Sequence, residues 1–228
     1  MDWQAAKVSL MLAALTAALL LAPSLWLARW LAVTGSRAKP WVEALLMLPL
    51  LLPPTVVGFY LLTALGPASP LGAWWAAHFN VQWVFSFQGL LLASLLVNIP
   101  FMVQPVQRAL SGIAPSVREA AWVGGLSAWR TFTKIELPLA WPGVRAGIAL
   151  TAAHTLGEFG VVLMVGGSIP GETKTLSIAI YDRVQAFDNT GAHVMALTLL
   201  VCSLAALVVV FRGGRPAQGA PVLAKNVI

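Results

Sequence analysis

The stretch ALLMLPLLLPPTVVGFYLLTALGPASPLGAWWAAHFNVQWVFSFQGLLLASLLVNIPFMVQPVQ, residues 44–107, runs for 64 residues between Glu43 and Arg108 without one Asp, Glu, Lys or Arg. A membrane crossing takes about 20 apolar residues, so this segment is long enough for two and has to turn round in the middle. Gly66, Pro67, Pro70 and Gly72 supply the turn. Trp74, Trp75, Trp83 and Phe85 follow, the aromatic side chains favoured at a membrane interface. The pattern predicts spans at about 44–65 and 85–107.

Three more apolar runs flank these two. One runs from Val8 to Ala28 between Lys7 and Arg29, one from about Gly143 to Gly167, and one from about Gly191 to Phe211. The prediction is an all-α membrane protein of five spans, forming one transmembrane domain over residues 1–228. Composition agrees: 59% of the residues are hydrophobic and 10% charged, whereas a soluble domain carries about 25% charged residues to cover its surface. The single cysteine, Cys202, lies in an apolar run and has no partner, which excludes a disulfide scaffold. The first run exceeds the roughly 7–15 apolar residues of a signal peptide, and Asp2 accompanies Lys7 before it, so it reads as a retained span.

Five spans put the termini on opposite sides. With the C-terminus inside, Arg29, Arg37, Lys39, Arg108, Arg118, Arg130, Lys134, Arg145, Arg212, Arg215 and Lys225 face the cytoplasm, and Lys7, Lys174 and Arg183 face outward. Basic residues accumulate on the cytoplasmic side of membrane proteins, so the expectation is an inner-membrane protein with the N-terminus outside and the tail 212–228 inside. The formal charge of +6 is thereby a topology signal, and no nucleic-acid partner is expected.

The loop at about 108–142 is the one substantial inner segment. Ser116 with Glu119 three residues later, behind Pro115, has the form of a capping box opening a helix. Gly124 and Gly125 interrupt it, and Ser127 is placed to cap a second helix through Trp129, Arg130 and Phe132. Little bulk at Ala120, Ala121, Gly124 and Gly125 lets a partner approach the backbone, with Trp122, Leu126, Trp129 and Phe132 as anchors. An amphipathic helix resting on the bilayer fits the composition equally well.

Glu119, Ala120 and Ala121, then Gly125, then Ile135, Leu137 and Pro138 stand at the spacing of the EAA loop, and the segment resembles that loop in the permeases of binding-protein-dependent ABC importers. LPLLLPPTVVG at 48–58, GEFG at 157–160 and IPGETKT at 169–175 narrow the likeness to the molybdate permease subunits. The resemblance implies a type I importer permease fold, an ATPase-docking loop carried by Glu119, Ala120, Ala121, Gly125, Ile135, Leu137 and Pro138, and a homodimer. It further implies two cytoplasmic ATPase subunits and an extracytoplasmic molybdate-binding protein as partners. Glu119 keeps two readings, a helix cap alone or a cap that also touches the ATPase. The proline-rich run is shared with sulfate permeases, so sulfate or tungstate stays open as cargo.

Pro53 and Pro54, with Pro49, remove backbone donors and preclude a straight helix in mid-span; such a break faces protein or a cavity more readily than lipid. Asn98 with Pro100 is a weaker signal of the same kind. Glu158 lies within an apolar run, where a carboxylate usually faces the bundle interior. Facing an anion it would repel, so a structural or gating role is expected of it rather than contact with cargo. No Lys or Arg stands mid-span, which leaves Thr55, Asn98, Thr151 and Thr155 as polar candidates for the path. Gly143 and Gly147 form a small-xxx-small pair suited to close helix packing. Tyr181 to Asn189 reads as a polar outer segment, a solvated face or part of a dock for the external binding protein.

No nucleotide-binding motif is present: GGSIPGETKT at 166–175 lacks the adjacent Gly-Lys of a phosphate cradle. His78, His154 and His193 are not at metal-ligand spacing. Neither an enzymatic activity nor a cofactor is expected; an intramembrane enzyme using Glu158 and His154 is the alternative of another class.

Overall fold

The computed structural model describes residues 1–79 and 82–213. Arg215, Lys225 and the C-terminal tail from residue 214 onward lie outside the described residues. Among the described residues the chain forms eleven α-helices and no strand. Helix α1 is Trp3–Val33, α2 Lys39–Leu51, α3 Pro54–Leu65, α4 Pro70–Phe79, α5 Phe87–Ser111, α6 Pro115–Val123 and α7 Ala128–Thr131. A π-helical turn, Phe132–Glu136, joins α7 to α8, Leu137–Gly157, and α9 Gly160–Gly166, α10 Leu176–Gln185 and α11 Asn189–Gly213 complete the chain.

Helix α1 starts where Asp2 accepts a hydrogen bond from the Ala5 amide at 3.0 Å. Its 31 residues span about 46 Å at 1.5 Å per residue, more than a hydrocarbon core of about 30 Å. Lys7 and Arg29 therefore sit near opposite ends of a membrane-sized rod. Three helices, α1, α5 and α11, are long and apolar enough to cross a membrane; counting each of two bent helix pairs as one span gives five.

The bend within 44–65 falls where Pro53 and Pro54 precluded a straight helix, whereas the bend within 143–167 corrects the continuous span expected there. Helices α2 and α3 meet at 105°, and the helix ending at Gly157 meets α9 at 64°. At the first break Leu52 and Pro53 are both extended. Each precedes a proline, and the proline ring disfavours the helical conformation of the residue before it. At the second, Glu158 is extended, with ψ 129°. Helix α5, by contrast, runs unbroken through Asn98, Pro100 and Pro105, so the weaker break expected there does not form. An isolated proline removes one hydrogen bond, whereas two in succession also force the first of them out of the helix.

The core is a bundle of α1, α5 and α8. At one end Ala28, Leu31, Val103, Val106, Leu110, Ala140 and Val144 interlock; at the other Val8, Leu12, Leu90, Val162 and Ile178 do. Gly143 and Gly147 face α5, as their spacing predicted. A Cβ at Gly143 would fall 2.5 Å from the Ala109 Cβ and 2.6 Å from the Pro105 carbonyl oxygen, and one at Gly147 would fall 2.9 Å from the Met102 carbonyl oxygen. Helix α11 packs on α8 and α10 and leaves Leu197, Leu200, Val201 and Leu204 exposed. The aromatic residues 74–79, read as following a turn, form the short helix α4, in which Trp75 stacks on Phe79 at 4.3 Å.

Candidate functional site

The two breaks lie against each other. A Cβ at Gly160 would sit 2.8 Å from the Pro54 Cβ, and one at Gly58 would sit 2.7 Å from the Met164 Cβ, so glycine at both positions lets α3 and α9 approach closely. The chain leaves open beside them a cavity of about 540 Å³ lined by Pro54, Thr55, Ala153, His154, Gly157, Glu158, Phe159 and Gly160. The start of α3 thus opens onto the cavity through Pro54 and Thr55.

Of the sequence-predicted path residues, Pro54, Thr55 and Glu158 line this cavity, and Pro53 forms the break itself. Asn98 reaches the site through His154. Thr151 and Thr155 are buried and do not line it. The Thr155 hydroxyl donates to the Thr151 carbonyl on its own helix at 2.8 Å, and the Thr151 hydroxyl has no hydrogen-bond partner among the described residues.

His154, named from the sequence only beside Glu158 in the enzyme alternative and not among the path residues, organises the site. Its Nδ1 lies 3.2 Å from Asn98 Oδ1 and its Nε2 3.4 Å from Glu158 Oε2. Its ring stacks on Phe101 with centroids 4.0 Å apart. The Asn98 amide is itself fixed, donating through Nδ2 to the Ser94 carbonyl at 2.8 Å and to the Ser94 hydroxyl. That hydroxyl pairs with Thr16 of α1 at 2.9 Å. Glu158 is 7% exposed and accepts the Val161 amide at the start of α9; its backbone carbonyl accepts the Ser177 hydroxyl. The carboxylate is therefore fixed between the Val161 amide and the His154 ring. The His154/Glu158 spacing of four within an apolar run was the signal available in the sequence.

The loop at the other end is a helix–turn–helix, and two details of it correct the sequence reading. Helix α6 begins at Pro115 with Ala114 at the cap position and no side-chain cap bond, so the Ser116–Glu119 capping box does not form. Proline in the first turn starts the helix two residues before the Val117 start that the box required. Phe132, expected as an exposed anchor, is buried with the Arg29 guanidinium 5.0 Å over its ring. Ser127 does cap α7, accepting from the Arg130 amide, and Gly125 takes φ +81° in the turn. Glu119, Ala120, Trp122, Gly124, Gly125, Trp129 and Pro138 are exposed, while Ala121 is buried and Ile135 and Leu137 are partly so.

Beneath this surface lies a charged cluster the sequence reading did not assemble. Glu136, 0% exposed, accepts Arg29 Nε through Oε2 and Arg118 Nε through Oε1, both at 2.6 Å. Arg118 also donates to the Leu110 and Ile113 carbonyls, and Arg29 to the Ala128 carbonyl. One carboxylate thereby ties α1 and the loop helices to the start of α8.

At the opposite end Lys174 pairs with Asp182 at 2.6 Å, and Arg183 pairs with Asp188. The Gly191 amide, and then Arg183, hold the Asp188 carboxyl below the usual carboxylate range.

The family model described as binding-protein-dependent transport system inner membrane component matches residues 15–212. The molybdenum transport system permease protein ModB of Azotobacter vinelandii is 41% identical over 94% of this chain and 95% of its own. The sulfate transport system permease protein CysT of Escherichia coli (strain K12) is 35% identical over 72% of this chain and 58% of its own. Among solved structures, a chain of a bacterial alginate ABC transporter in complex with an alginate-bound periplasmic protein superposes with a TM-score of 0.76. It is 18% identical, over 93% of this chain and 77% of that one, and shows the likeness of fold.

Proposed function

The chain belongs to the binding-protein-dependent transport system inner membrane component family, and from that premise we propose that it is the pore-forming subunit of an ATP-driven molybdate importer. One observation carries the choice of cargo: the chain spans nearly the full length of the molybdenum permease but only 58% of the sulfate permease. Sulfate or tungstate import is the second reading, favoured by the proline-rich run common to these permeases.

In this reading α1, the bent pair α2–α3, α5, the bent pair α8–α9, and α11 are five crossings, and two copies enclose the pore. The end carrying Arg29, Arg118 and Arg130 is cytoplasmic, in keeping with the accumulation of basic residues there. Glu119, Ala120, Ala121 and Gly125, with Ile135, Leu137 and Pro138 behind them, form the dock for an ATPase subunit; the exposed Trp122 and Trp129 support this. The outer end, with α10 and Phe187, receives the molybdate-binding protein. Closure of the ATPase pair on ATP draws the two docks together and tilts packed helices from an inward-open to an outward-open arrangement.

The cavity at the two breaks is the path for the anion. Pro53, Pro54, Thr55, Asn98 and Glu158 shape it; Thr151 and Thr155 support the α8 wall. None of its lining residues is a lysine or arginine, so an anion is handled by hydroxyl, amide and helix-terminus contacts that release it readily.

The test is reconstitution of the chain with its ATPase subunit and binding protein in liposomes, measuring ATP-dependent molybdate uptake with sulfate and tungstate as competitors. Uptake that requires all three components and resists excess sulfate supports the proposal. A chain that does not copurify with the ATPase, or uptake abolished by equimolar sulfate, refutes it.

A further inference from the structure

The cavity holds one side chain pair whose hydrogen bonding is over-determined. Asn98 Nδ2 donates to the Ser94 carbonyl, an oxygen that only accepts, so the amide can point only its Oδ1 toward His154. Oδ1 in turn only accepts, and at 3.2 Å it requires a proton on His154 Nδ1. A neutral imidazole protonated at Nδ1 presents a bare lone pair at Nε2. That lone pair faces Glu158 Oε2 at 3.4 Å, and an ionised carboxylate also presents only lone pairs. The contact is stable only if a proton lies between them, carried either as imidazolium beside carboxylate or as carboxylic acid donating to imidazole. The other carboxyl oxygen already accepts the Val161 amide, which leaves Oε2 as the position for the proton.

We propose that His154 and Glu158 hold one proton between them, so that the pair shows a passing oxyanion no net charge. His154 is then a positioning and charge-masking residue of the path. Without it, Glu158 stands as an uncompensated anion in the cavity wall and repels the cargo. The Phe101 stack at 4.0 Å and the Thr16–Ser94–Asn98 chain serve to lock the imidazole so that the tautomer cannot switch. The transport arm of the test below rests on the molybdate reading; the spectroscopic arm does not.

In the reconstituted transporter, His154→Phe keeps an aromatic ring over Phe101 but cannot carry the proton. It is expected to lower uptake per assembled complex at least about tenfold, the scale of an unmasked charge near an anion. Adding Glu158→Gln to His154→Phe is expected to recover most of that loss. A double variant no better than His154→Phe overturns the masking role.

The full chain in lipid nanodiscs, labelled with ¹⁵N-histidine and assigned by the His154→Phe spectrum, reads the proton directly and needs no transport. A proton on Nδ1, with Nε2 either protonated or accepting a strong hydrogen bond, is the expected state. A neutral imidazole protonated at Nε2, or an Nε2 free of any hydrogen bond, overturns the proposal. A wild-type complex that moves no molybdate refutes the functional reading and leaves the spectrum to decide the proton.

Discussion

Replacing Glu136 by Gln removes one negative charge and leaves its shape. Glu136 is 0% exposed and is bonded by two guanidinium groups at 2.6 Å each. Removing the shared partner of a buried ionic cluster costs about 3–5 kcal/mol, because a buried cation is left uncompensated. Both arginines keep other contacts: Arg118 the Leu110 and Ile113 carbonyls, Arg29 the Ala128 carbonyl and the Phe132 ring. Their charges are thus partly solvated by dipoles, which places the expected loss near the lower bound, about 3 kcal/mol. For a chain of this size that corresponds to a fall in Tm of about 6–12 °C, read by thermal unfolding of the purified protein in detergent. The companion variant, Arg29→Met, Arg118→Leu and Glu136→Met together, removes charge and counter-charge at once. It should lie within about 1 kcal/mol of wild type or above it, as apolar replacements of buried ionic triads do. A Glu136→Gln Tm within about 2 °C of wild type, or a triple variant as unstable as the single one, refutes the reasoning.

Gly143→Leu should destabilise by about 1–3 kcal/mol through overpacking, since its Cβ alone would meet Ala109 and Pro105 at 2.5 and 2.6 Å; Gly35→Ala, with nothing within 4 Å, is the control in the same melting experiment. Gly125→Val places a β-branched residue at φ +81° in open space, at a local cost of about 1–2 kcal/mol. It is expected to weaken copurification with the ATPase and to lower molybdate uptake, and unchanged values of both would remove Gly125 from the dock. Thr151→Val deletes a buried hydroxyl that has no partner among the described residues and should raise stability by about 1 kcal/mol, seen as a higher Tm with uptake retained; a fall in uptake would instead place that hydroxyl in the path.

Features fixed by neighbouring residues were legible in the sequence; features fixed by distant pairs were not. The charge-free run at 44–107 and its Gly and Pro turn mark two apolar helical stretches because desolvation acts on each residue locally. The break at Pro53–Pro54 was visible for the same reason, since proline constrains its own φ and the residue before it. The break at Glu158 was hidden: isolated glycines such as Gly157 and Gly160 are tolerated in helices, and the bend becomes intelligible only with Pro54 packed on Gly160. Arg29 and Glu136 are 107 residues apart, so Arg29 read only as a topology charge until the fold brought them together. The Ser116–Glu119 box failed because two helix-start signals overlapped and Pro115 set the register. Phe132 turned inward because Arg29, on another helix, covers it.

The two buried carboxylates also bracket one structural element. The helix is continuous from Ala128 to Gly157, with Glu136 in its π-helical turn and Glu158 one residue beyond its end. The 21 residues of α8 separate them by about 31 Å, so the loop surface and the cavity wall are two ends of a single rod. At the loop end the rod is fixed to α1 and α6 by ions, which hold position but tolerate small rotations. At the cavity end it is fixed to α5 through Asn98 and to α9 through the Val161 amide. The α2–α3 pair offers no comparable line, because its 105° bend turns an axial push sideways. A displacement of the exposed loop is expected to reach the cavity along α8, where it would bear on the residues that hold Glu158 in place. The π turn is the compliant element in that rod, since its wider hydrogen-bond ring is the less stable helical form and such turns cluster where helices carry function.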